Sequence, residues 1–387
     1  MPEIIDIVRK HNAYRSSVLN LQASENFLSE KAREALGSDM ASRYSLEING
    51  EEAYGGARYS EEVLHTTEKL ISEVYRAKYS EVRPIGGHIA AEVVLLSTVN
   101  RKDNILSIPE KYGGYTGYEN GYLPQMSGIN NYHIPYDGEK QEIRFPELEK
   151  LFRSTHPRMI VLGQSFFVKH YDLKRLNELC ETNGTVLAYD GSHVMGLIAG
   201  EAFQKDVLKY CDILYGSTHK SFFGPQGGII LTNNEDMYGE ICKNITWRAM
   251  DNFHPSRVAA LGVAAEEMRD HGREYASLVT ANSRNLGKEL SEKGIGVRYA
   301  PWYSETHQVI VDPDYIKKRG TTLAGFSENL EKNGIIIDRE GRIGTSEISR
   351  YGFSDMERIS DLIARSMNGE NLKRETSDLK ESLRRIY

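Results

Sequence analysis

The chain has 387 residues, with 55 acidic and 48 basic side chains and a formal net charge of −7. The charges are interspersed and form no basic stripe, which excludes a nucleic acid as the partner. No apolar run reaches the roughly 18 residues of a membrane span, and the beginning, MPEIIDIVRKHNAYR, lacks the pattern of a signal peptide. We therefore predict a cytoplasmic protein that binds no membrane and is long enough for two domains.

The cysteines Cys180, Cys211 and Cys242 are widely spaced and form no Cys-x-x-Cys pair. This pattern indicates neither a disulfide framework nor a zinc site. We expect small buried apolar side chains at these positions and no metal ion.

The amino-terminal part of the chain predicts two helices. The first 20 residues form an amphipathic pattern, and the stretch SEKAREALG predicts a second, short helix. Ser24 and Ser29 are the two candidates for the residue that caps this second helix.

Two adjacent glycines, Gly86 and Gly87, precede an apolar-periodic helix that runs to Val99. At the start of a helix, unpaired N–H groups and the positive end of the helix dipole attract anions. Gly86, Gly87 and His88 are therefore a candidate phosphate cradle. Because Gly-Gly pairs also occur in ordinary loops, the alternative is a plain connection.

Further along the chain, apolar runs predict strands over residues 103–109, 158–164 and 229–232, and an amphipathic pattern predicts a helix over 173–183. Strands and helices alternate with short connections, which is typical of a parallel sheet wrapped by helices. In such a sheet, ligands bind at the carboxyl ends of the strands.

The most informative stretch is DILYGSTHKSFFGPQGG, residues 212–228. A strand-like run passes through Ser217 and Thr218, presents His219 and Lys220, and leaves through several glycines. Small hydroxyl residues before a lysine can hold a phosphate, and glycines permit close backbone approach. A partly buried lysine can lose its proton and form a Schiff base.

A second stretch, TVLAYDGSHVMGLIAG at 185–200, is another apolar run that ends in an acid, Asp190, and His193 follows it. Pyridoxal phosphate chemistry needs a lysine, a carboxylate that keeps the pyridine nitrogen protonated, and a phosphate anchor. Lys220 and Asp190 supply the lysine and the carboxylate. The pair predicts pyridoxal 5′-phosphate as the cofactor.

These motifs resemble those of the serine hydroxymethyltransferase family, which belongs to the fold-type I pyridoxal phosphate enzymes. That family carries T-H-K-[ST]-x-x-G-P-x-G-G around its lysine and D-x-x-H-V-x-G-L-I-A-G around its aspartate. The resemblance extends from Leu21 to about Arg365. It implies an α/β fold, in which a mostly parallel seven-stranded sheet is wrapped by helices and a smaller α/β carboxy-terminal domain follows.

The resemblance also implies which residues hold the cofactor. Tyr115 stands where the family has a histidine that stacks on the cofactor ring, and with His193 it would enclose the ring plane. Plain packing is the alternative role for this tyrosine. Ser165 stands where the family has a serine near the phenolic oxygen of the cofactor. The implied cofactor-binding residues are Gly86, Gly87, His88, Tyr115, Ser165, Asp190, His193, Ser217, His219 and Lys220.

Two further motifs concern the amino-acid substrate. The stretch LQASENF, residues 21–27, resembles a family element whose serine and glutamate help to hold the substrate, here Ser24 and Glu25. The stretch GRIGTS, residues 341–346, resembles the motif whose arginine binds the substrate carboxylate. Arg342 is the candidate, because its planar fork matches a carboxylate, and Arg350 is the alternative.

The segment 43–59, RYSLEINGEEAYGGARY, is similar to a tyrosine-rich region of the family's active site. Tyr44 is the implied substrate contact. The implied catalytic residues are Tyr54, Lys220, Asp190 and His193. The family glutamate that handles the hydroxymethyl proton falls on Leu46, which cannot transfer a proton, and Glu47 beside it is the alternative.

Two other places depart from the family. The connection between residues 337 and 342 is shorter than in folate-using relatives, so together with Leu46 it predicts little or no use of tetrahydrofolate. The segment 245–260 lacks the glycine-rich loop that reaches the cofactor phosphate of a neighbouring subunit. His254, Ser256 and Arg257 are candidates to replace it, and a helix start at Pro255 is the alternative.

A long helix from about residue 260 to 287 leads into the carboxy-terminal part. There, residues 297–300, 307–311 and 335–338 predict strands, and residues 323–333 and 355–367 predict helices. We expect these elements to form one sheet covered by helices. The predicted domains are a helical arm over 1–20, a large cofactor-binding domain over 21–275 and a small domain over 276–387.

The resemblance implies a transferase of amino-acid and one-carbon metabolism that interconverts serine and glycine or cleaves β-hydroxy amino acids. Racemisation or transamination is the alternative, because neither reaction needs a group that deprotonates a β-hydroxyl. A catalytically silent binding or regulatory subunit is an alternative of another class, and intact Lys220, Asp190 and Arg342 argue against it. The resemblance also implies a homodimer with a shared site.

Overall fold

The computed structural model describes residues 2–48 and 50–384. The chain forms two compact units, a larger one over Asn26–Arg273 and a smaller one that joins the residues up to Glu25 with those from Glu274 onward. The domain bounds predicted above, 1–20, 21–275 and 276–387, stay predictions.

The helices and strands are numbered here in chain order. The helices are α1 (Ile4–Ser16), α2 (Glu30–Leu36), α3 (Arg58–Tyr75), α4 (Gly87–Thr98), α5 (Leu123–Ser127), α6 (Phe145–Thr155), α7 (Leu173–Asn183), α8 (Met195–Ala199), α9 (Val207–Tyr210), α10 (Glu235–Ile245), α11 (Pro255–Glu292), α12 (Pro313–Lys318), α13 (Leu323–Lys332), α14 (Ser346–Ser349), α15 (Met356–Met367) and α16 (Lys373–Ser382). The strands are β1 (Leu19–Asn20), β2 (Glu47–Ile48), β3 (Glu51–Glu52), β4 (Tyr79–Glu81), β5 (Asn104–Ser107), β6 (Asn130–His133), β7 (Tyr136–Asp137), β8 (Glu142–Ile143), β9 (Met159–Gly163), β10 (Val186–Asp190), β11 (Ile213–Ser217), β12 (Gly228–Thr232), β13 (Gln308–Ile310), β14 (Ile335–Ile336) and β15 (Arg342–Gly344).

The larger unit is built on a seven-stranded sheet with the order β4-β12-β11-β10-β9-β5-β6. Strand β12 runs antiparallel to both of its neighbours, and the other pairs in the sheet are parallel. The prediction of a mostly parallel α/β sheet wrapped by helices is confirmed. Strands β9 and β11 are buried along their whole length, which explains why they appear in the sequence as continuous apolar runs.

One apolar core lies between α4 and the sheet. It includes Val93 and Val94 of α4, Val161 of β9, Ala188 of β10 and Ile230 of β12, all at most 1% exposed. Burying a side chain of this size contributes about 1.5–3 kcal/mol. The core therefore fixes α4 against the sheet.

In the smaller unit, β1 pairs parallel with β14, and β13 pairs antiparallel with β15. These are two separate two-stranded sheets, so the prediction of one sheet in this part of the chain is wrong. The predicted strand over 297–300 is also wrong, because only an isolated bridge between Val297 and Val311 forms there. Tyr299 has a positive φ of 65°, which interrupts an extended backbone.

Several smaller expectations can be compared with the structure. Ser29 caps α2, since its side chain accepts a hydrogen bond from the Ala32 N–H at 3.2 Å. Cys180 and Cys211 are buried, whereas Cys242 is only partly buried. Within residues 2–48 and 50–384, no helix is both long and apolar enough to cross a bilayer. Over the same residues, no cluster of His, Cys, Asp or Glu side chains suits a metal ion.

Candidate active site

Three neighbouring strands of the large sheet end at one edge. Gly163 ends β9, Asp190 ends β10 and Ser217 ends β11. Asp190 lies opposite Gly163 in the ladder. Because β9, β10 and β11 run parallel, their carboxyl ends form one rim, the place where ligands bind in such sheets.

Asp190 is 6% exposed and firmly held. Its Oδ1 atom accepts hydrogen bonds from the Ser192 N–H at 3.0 Å and the Ser192 hydroxyl at 2.6 Å. Its Oδ2 atom accepts one from the Tyr118 hydroxyl at 2.8 Å. Burial, followed by the charge of Asp190, raises the pKa of Tyr118 well above its usual value, so this tyrosine stays a donor.

Lys220 lies in the loop that joins β11 to β12. Its Nζ atom donates to the Ser217 hydroxyl at 2.6 Å. Its carbonyl oxygen accepts hydrogen bonds from the Asn26 side-chain amide and from the Phe223 N–H, both at 3.1 Å. The backbone of the lysine is therefore fixed while its amine reaches back to the end of β11.

His219 precedes the lysine and stays neutral at physiological pH. Burial, followed by the charge of Lys220, lowers the pKa of His219 to about 3. The two adjacent basic side chains at this strand end are therefore not both charged.

The candidate phosphate cradle lies against the end of β11. Gly86 precedes α4, and Gly87 is the first residue of that helix. A Cβ atom on Gly87 would lie 2.9 Å from Ser217 Cβ and 3.0 Å from Ser217 N, so only glycine permits this approach. The free N–H groups of the first turn of α4 are thereby brought beside the strand that leads to Lys220.

The structure also brings two aromatic side chains to this rim. His88 Nδ1 lies 2.9 Å from the Tyr115 hydroxyl. The Tyr115 ring packs edge-on against the ring of Tyr118, with the ring centroids 5.5 Å apart. Burial, followed by the charge of Asp190, raises the pKa of Tyr115. His88 and Tyr115 therefore connect the cradle to the carboxylate that Tyr118 holds.

The last two predicted cofactor contacts lie in turns after strands. His193 is 6% exposed and lies in the turn between β10 and α8. Ser165 follows β9, and its N–H donates to the Gly113 carbonyl at 2.6 Å. The rim of the large sheet thus gathers the predicted cofactor-binding residues Gly86, Gly87, His88, Tyr115, Ser165, Asp190, His193, Ser217, His219 and Lys220.

Two predicted tyrosines lie in the segment that precedes α3 in the larger unit. The rings of Tyr44 and Tyr54 pack edge-on with centroids 4.7 Å apart, and the Tyr44 hydroxyl donates to Asp251 at 3.3 Å. They are 43% and 49% exposed. Ser45 and Phe253 form an antiparallel bridge, which joins this segment to the one that precedes α11.

Beside the lost family glutamate, the carboxylate of Glu47 has one oxygen, Oε2, that is buried and makes no hydrogen bond to the described residues. Leu46 is buried. Glu47 Oε2 lies 3.3 Å from His65 Nε2 on α3. Arg257, a candidate in the segment without glycines, is buried, and α11 begins at Pro255, as the alternative reading of that segment expected.

In the smaller unit, the segment before Ser24 packs along β15, whose first residue is Arg342. The Gly344 N–H donates to the Leu21 carbonyl at 2.7 Å. A Cβ atom on Gly344 would lie 2.5 Å from Ala23 Cα, so this approach too requires glycine. The two motifs predicted to hold the amino acid, LQASENF and GRIGTS, therefore lie side by side.

Both charged residues of these motifs have partners. Glu25 accepts hydrogen bonds from Gln22 at 2.9 Å and Asn20 at 3.2 Å, and it forms an ion pair with Arg15. The Arg342 side chain is 12% exposed and its Nε atom donates to Asp338. The alternative arginine, Arg350, is fully buried.

Sequence reasoning missed several residues that hold this arrangement. Tyr118 and Ser192 position Asp190, and Asn26 holds the carbonyl of Lys220. Ser192 and Asn26 lie inside motifs that the sequence had singled out, where neighbouring polar residues are a usable signal. Tyr118 had no such signal, since it lies 72 positions from the carboxylate that it contacts.

The residues present fit a pyridoxal phosphate group. A lysine amine, a buried carboxylate held by three donors and a glycine-lined helix start meet at one rim. These are the groups that the imine, the pyridine nitrogen and the phosphate require. Fold and site together define a fold-type I pyridoxal phosphate enzyme.

Comparison with known proteins agrees. A family model described as serine hydroxymethyltransferase matches residues 1–363. The serine hydroxymethyltransferase of Methanothermobacter marburgensis is 34% identical over 403 aligned residues, covering 99% of this chain and 94% of that protein. That of Pyrobaculum islandicum is 32% identical, covering 98% of this chain and 92% of its own length. The crystal structure of L-threonine transaldolase from Pseudomonas fluorescens has the same fold, with a TM-score of 0.86 and 24% identity over 98% of this chain and 91% of that one.

The chain belongs to the serine hydroxymethyltransferase family. It is an enzyme that uses pyridoxal 5′-phosphate and acts at the Cα atom of amino acids.

Proposed function

We propose that this enzyme cleaves the Cα–Cβ bond of β-hydroxy amino acids, giving glycine and an aldehyde, or forms that bond in reverse. The observation that carries the proposal is the rim formed by Asp190, Ser217 and Lys220 beside the start of α4. Relatives are named serine hydroxymethyltransferases, and a protein of the same fold is named a threonine transaldolase. Both names describe chemistry on β-hydroxy amino acids.

Each residue of the rim has a proposed role. Lys220 attaches the cofactor through Nζ, and the Ser217 hydroxyl holds that amine in place. Asp190 keeps a proton on the pyridine nitrogen, and three hydrogen-bond donors hold its carboxylate in place. The bound cofactor supplies an electron-withdrawing ring that stabilises negative charge at Cα. The first turn of α4 binds the phosphate.

The substrate roles follow from the smaller unit. Arg342 binds the α-carboxylate, whose two oxygens match the planar fork of the guanidinium. Ser24 and Glu25 support the segment that packs along β15. Holding the carboxylate fixes the orientation of the amino acid, and this orientation decides which bond at Cα breaks.

For cleavage, a proton leaves the β-hydroxyl, the Cα–Cβ bond breaks to give the aldehyde, and Cα receives a proton to give glycine. Leu46 cannot take the hydroxyl proton, and the Oε2 atom of Glu47 lies 3.3 Å from His65 Nε2. The same observation favours a second candidate, racemisation or transamination, because breaking the Cα–H bond requires no base at the β-hydroxyl.

The attachment of the cofactor is tested with Lys220→Ala. We expect the purified wild-type chain to be yellow and, after borohydride reduction and digestion, to carry the cofactor on the peptide that contains Lys220. The Lys220→Ala variant should be colourless after dialysis, because no other amine replaces the lost one. Covalent cofactor retained by this variant contradicts the assignment.

The use of a carrier is tested with serine. We expect tetrahydrofolate to change the rate of serine cleavage little, and bulkier β-hydroxy amino acids such as threonine to be cleaved faster than serine. They release a stable aldehyde, whereas serine must hand formaldehyde to a carrier. Glycine formation is measured with and without tetrahydrofolate.

Glu47→Gln serves as the control for this experiment. Strong stimulation by tetrahydrofolate that disappears in Glu47→Gln would show that Glu47 performs the proton transfer. Equal rates in the two proteins support the view that Glu47 interacts with His65 and does not transfer the proton.

We also propose that the enzyme is a cytoplasmic homodimer in which both subunits contribute to each site. The exposed rings of Tyr44 and Tyr54 support this, because they lie on a surface that faces solvent in the single chain.

A further inference from the structure

Arg257 presents an energetic problem that the fold of the single chain does not resolve. Its side chain is 5% exposed and lies in the first turn of α11, a 38-residue helix. A buried cation loses its hydration, and the positive end of a helix dipole opposes a cation in the first turn. Burial lowers the pKa of Arg257 to about 10, so the guanidinium remains charged at neutral pH.

Among the residues that the structure describes, no acidic side chain forms an ion pair with Arg257, although the charge of Glu81 acts on it from nearby. The nearby Glu81 is bound instead by Arg83, whose Nε and Nη2 atoms donate to it at 2.9 and 2.5 Å. Arg257 Nη2 donates to the carbonyl oxygens of Val82 at 2.6 Å and Arg83 at 3.1 Å. Its Nε and Nη1 atoms are buried and make no hydrogen bond to any residue in the described part of the chain.

The position of Arg257 connects it to the candidate phosphate cradle. Val82 and Arg83, whose carbonyls it holds, lead directly into Gly86 and Gly87. A Cβ atom on Gly227 would lie 2.6 Å from Arg257 Nη1. A Cβ atom on the next residue, Gly228, would lie 2.5 Å from the Gly86 carbonyl oxygen. The guanidinium therefore packs against the backbone of the loop that leads into α4.

We propose that Arg257 is a positioning residue for the phosphate end of the cofactor, and that this phosphate is the anion that balances its buried charge. The inference rests on the proposed phosphate cradle at Gly86, Gly87 and His88. By binding the carbonyls of Val82 and Arg83, Arg257 directs the following N–H groups toward the ligand. Its charge adds to the helix dipole of α4 and favours a dianionic ligand over a neutral one.

The test compares two ligands that differ only in the phosphate, pyridoxine 5′-phosphate and pyridoxine. Neither has an aldehyde, so neither can react with Lys220. The test therefore remains valid even if Lys220 is not the residue that attaches the cofactor. Affinities are measured by calorimetry on the full chain freed of cofactor. The quantity of interest is the affinity for pyridoxine 5′-phosphate divided by the affinity for pyridoxine.

We expect Arg257→Met to lower this ratio by roughly tenfold or more, since a unit charge acts strongly on a phosphate in a partly buried site. Arg257→Lys, which keeps the charge, should stay within about threefold of the wild type. Arg269→Met removes an exposed cation from the same helix and is the matched control, with an unchanged ratio.

An unchanged ratio in Arg257→Met overturns the proposal. This includes the case in which the affinities for both ligands fall equally, which indicates a merely structural role. If Arg257→Met does not fold, the Lys variant decides alone. A ratio close to that of the wild type supports the role of the charge, and a tenfold fall overturns it.

Discussion

Arg342 already has an acidic partner within its own turn. Asp338 accepts the Arg342 Nε–H, and it also accepts the backbone N–H groups of Glu340 at 2.9 Å and Arg342 at 3.0 Å. One carboxylate thus closes the short turn before β15 and fixes the direction of the guanidinium. The Nη2 atom of the same guanidinium lies 4.0 Å from Glu340 Oε2, so a substrate carboxylate would share the guanidinium with these two acids.

For Arg342→Lys we therefore expect weaker binding of the amino acid, by about tenfold or more, because lysine keeps the charge but loses the two-pronged geometry. Affinity for the cofactor should be unchanged. Titration of the purified variants with glycine, followed by absorbance, measures the first, and equilibrium dialysis measures the second. Unchanged affinity for glycine would transfer the role to Arg350 or another residue.

Sequence analysis predicted the candidate site residues that stand at the ends of apolar runs. Asp190 and Ser217 end β10 and β11, and the strand character of these runs was visible in the sequence. Contacts such as that between Asn26 and the Lys220 carbonyl, 194 positions apart, depend on how distant segments pack. No local pattern records such a contact.

Among the elements, the hairpin of β2 and β3 depends on one carboxylate. Glu52 accepts hydrogen bonds from the Ser45 hydroxyl at 2.5 Å, the Leu46 N–H at 3.0 Å and the Tyr54 N–H at 3.1 Å. It thereby connects both ends of the hairpin and fixes the backbone on which Tyr54 stands. Glu51, its neighbour, is exposed.

We expect Glu52→Gln to raise KM for the amino-acid substrate severalfold and to lower the free energy of unfolding by about 1.5–3 kcal/mol, the usual value of hydrogen bonds to a charged group. An amide offers one oxygen, so at least one of the three donors loses its partner. Initial rates and urea denaturation measure the two effects. Glu51→Gln is the control, and identical behaviour of the two variants would remove Glu52 from this role.

Elements with strong local signals were predicted well. Helix α7 has the predicted bounds, because the Asp172 side chain caps its start and Gly184 ends it with a φ of 63°. The predicted strand over 297–300 does not form. Tyr299 has a positive φ, and nothing about a tyrosine in the sequence predicts that backbone conformation. The two small sheets of the smaller unit also escaped prediction, because strand pairing is a long-range property.

For the whole molecule, apolar side chains on the surface support the proposal of a second subunit. Ile4 and Val8 of α1 are 76% and 44% exposed, and no residue of this helix is buried. Trp247, 65% exposed, lies in the segment that Ser45 and Phe253 connect to Tyr44. Apolar surface of this kind is typical of protein interfaces.

We expect a homodimer in sedimentation experiments and a shared site in a mixing experiment. Lys220→Ala and Tyr54→Ala, each inactive alone, should regain about a quarter of wild-type activity after mixing and subunit exchange, because half of the dimers then contain one intact site. Lys220→Ala mixed with Asp190→Asn is the control. Both of those residues belong to the same rim, so no site is intact and no activity should return. A monomer with full activity contradicts the shared site.

The antiparallel direction of β12 has a consequence for the motion of Lys220. Because β12 runs against its neighbours, it begins at the rim where β11 ends, with Gly228 opposite Ser217. The loop that carries Lys220 is therefore anchored on both sides, by β11 and by β12. With both ends of the loop paired, we expect the amine to exchange one partner for another by rotating its own side chain. Side-chain rotation is generally faster than the nanoseconds to microseconds of a moving loop, so we expect this exchange to be faster than any movement of the chain.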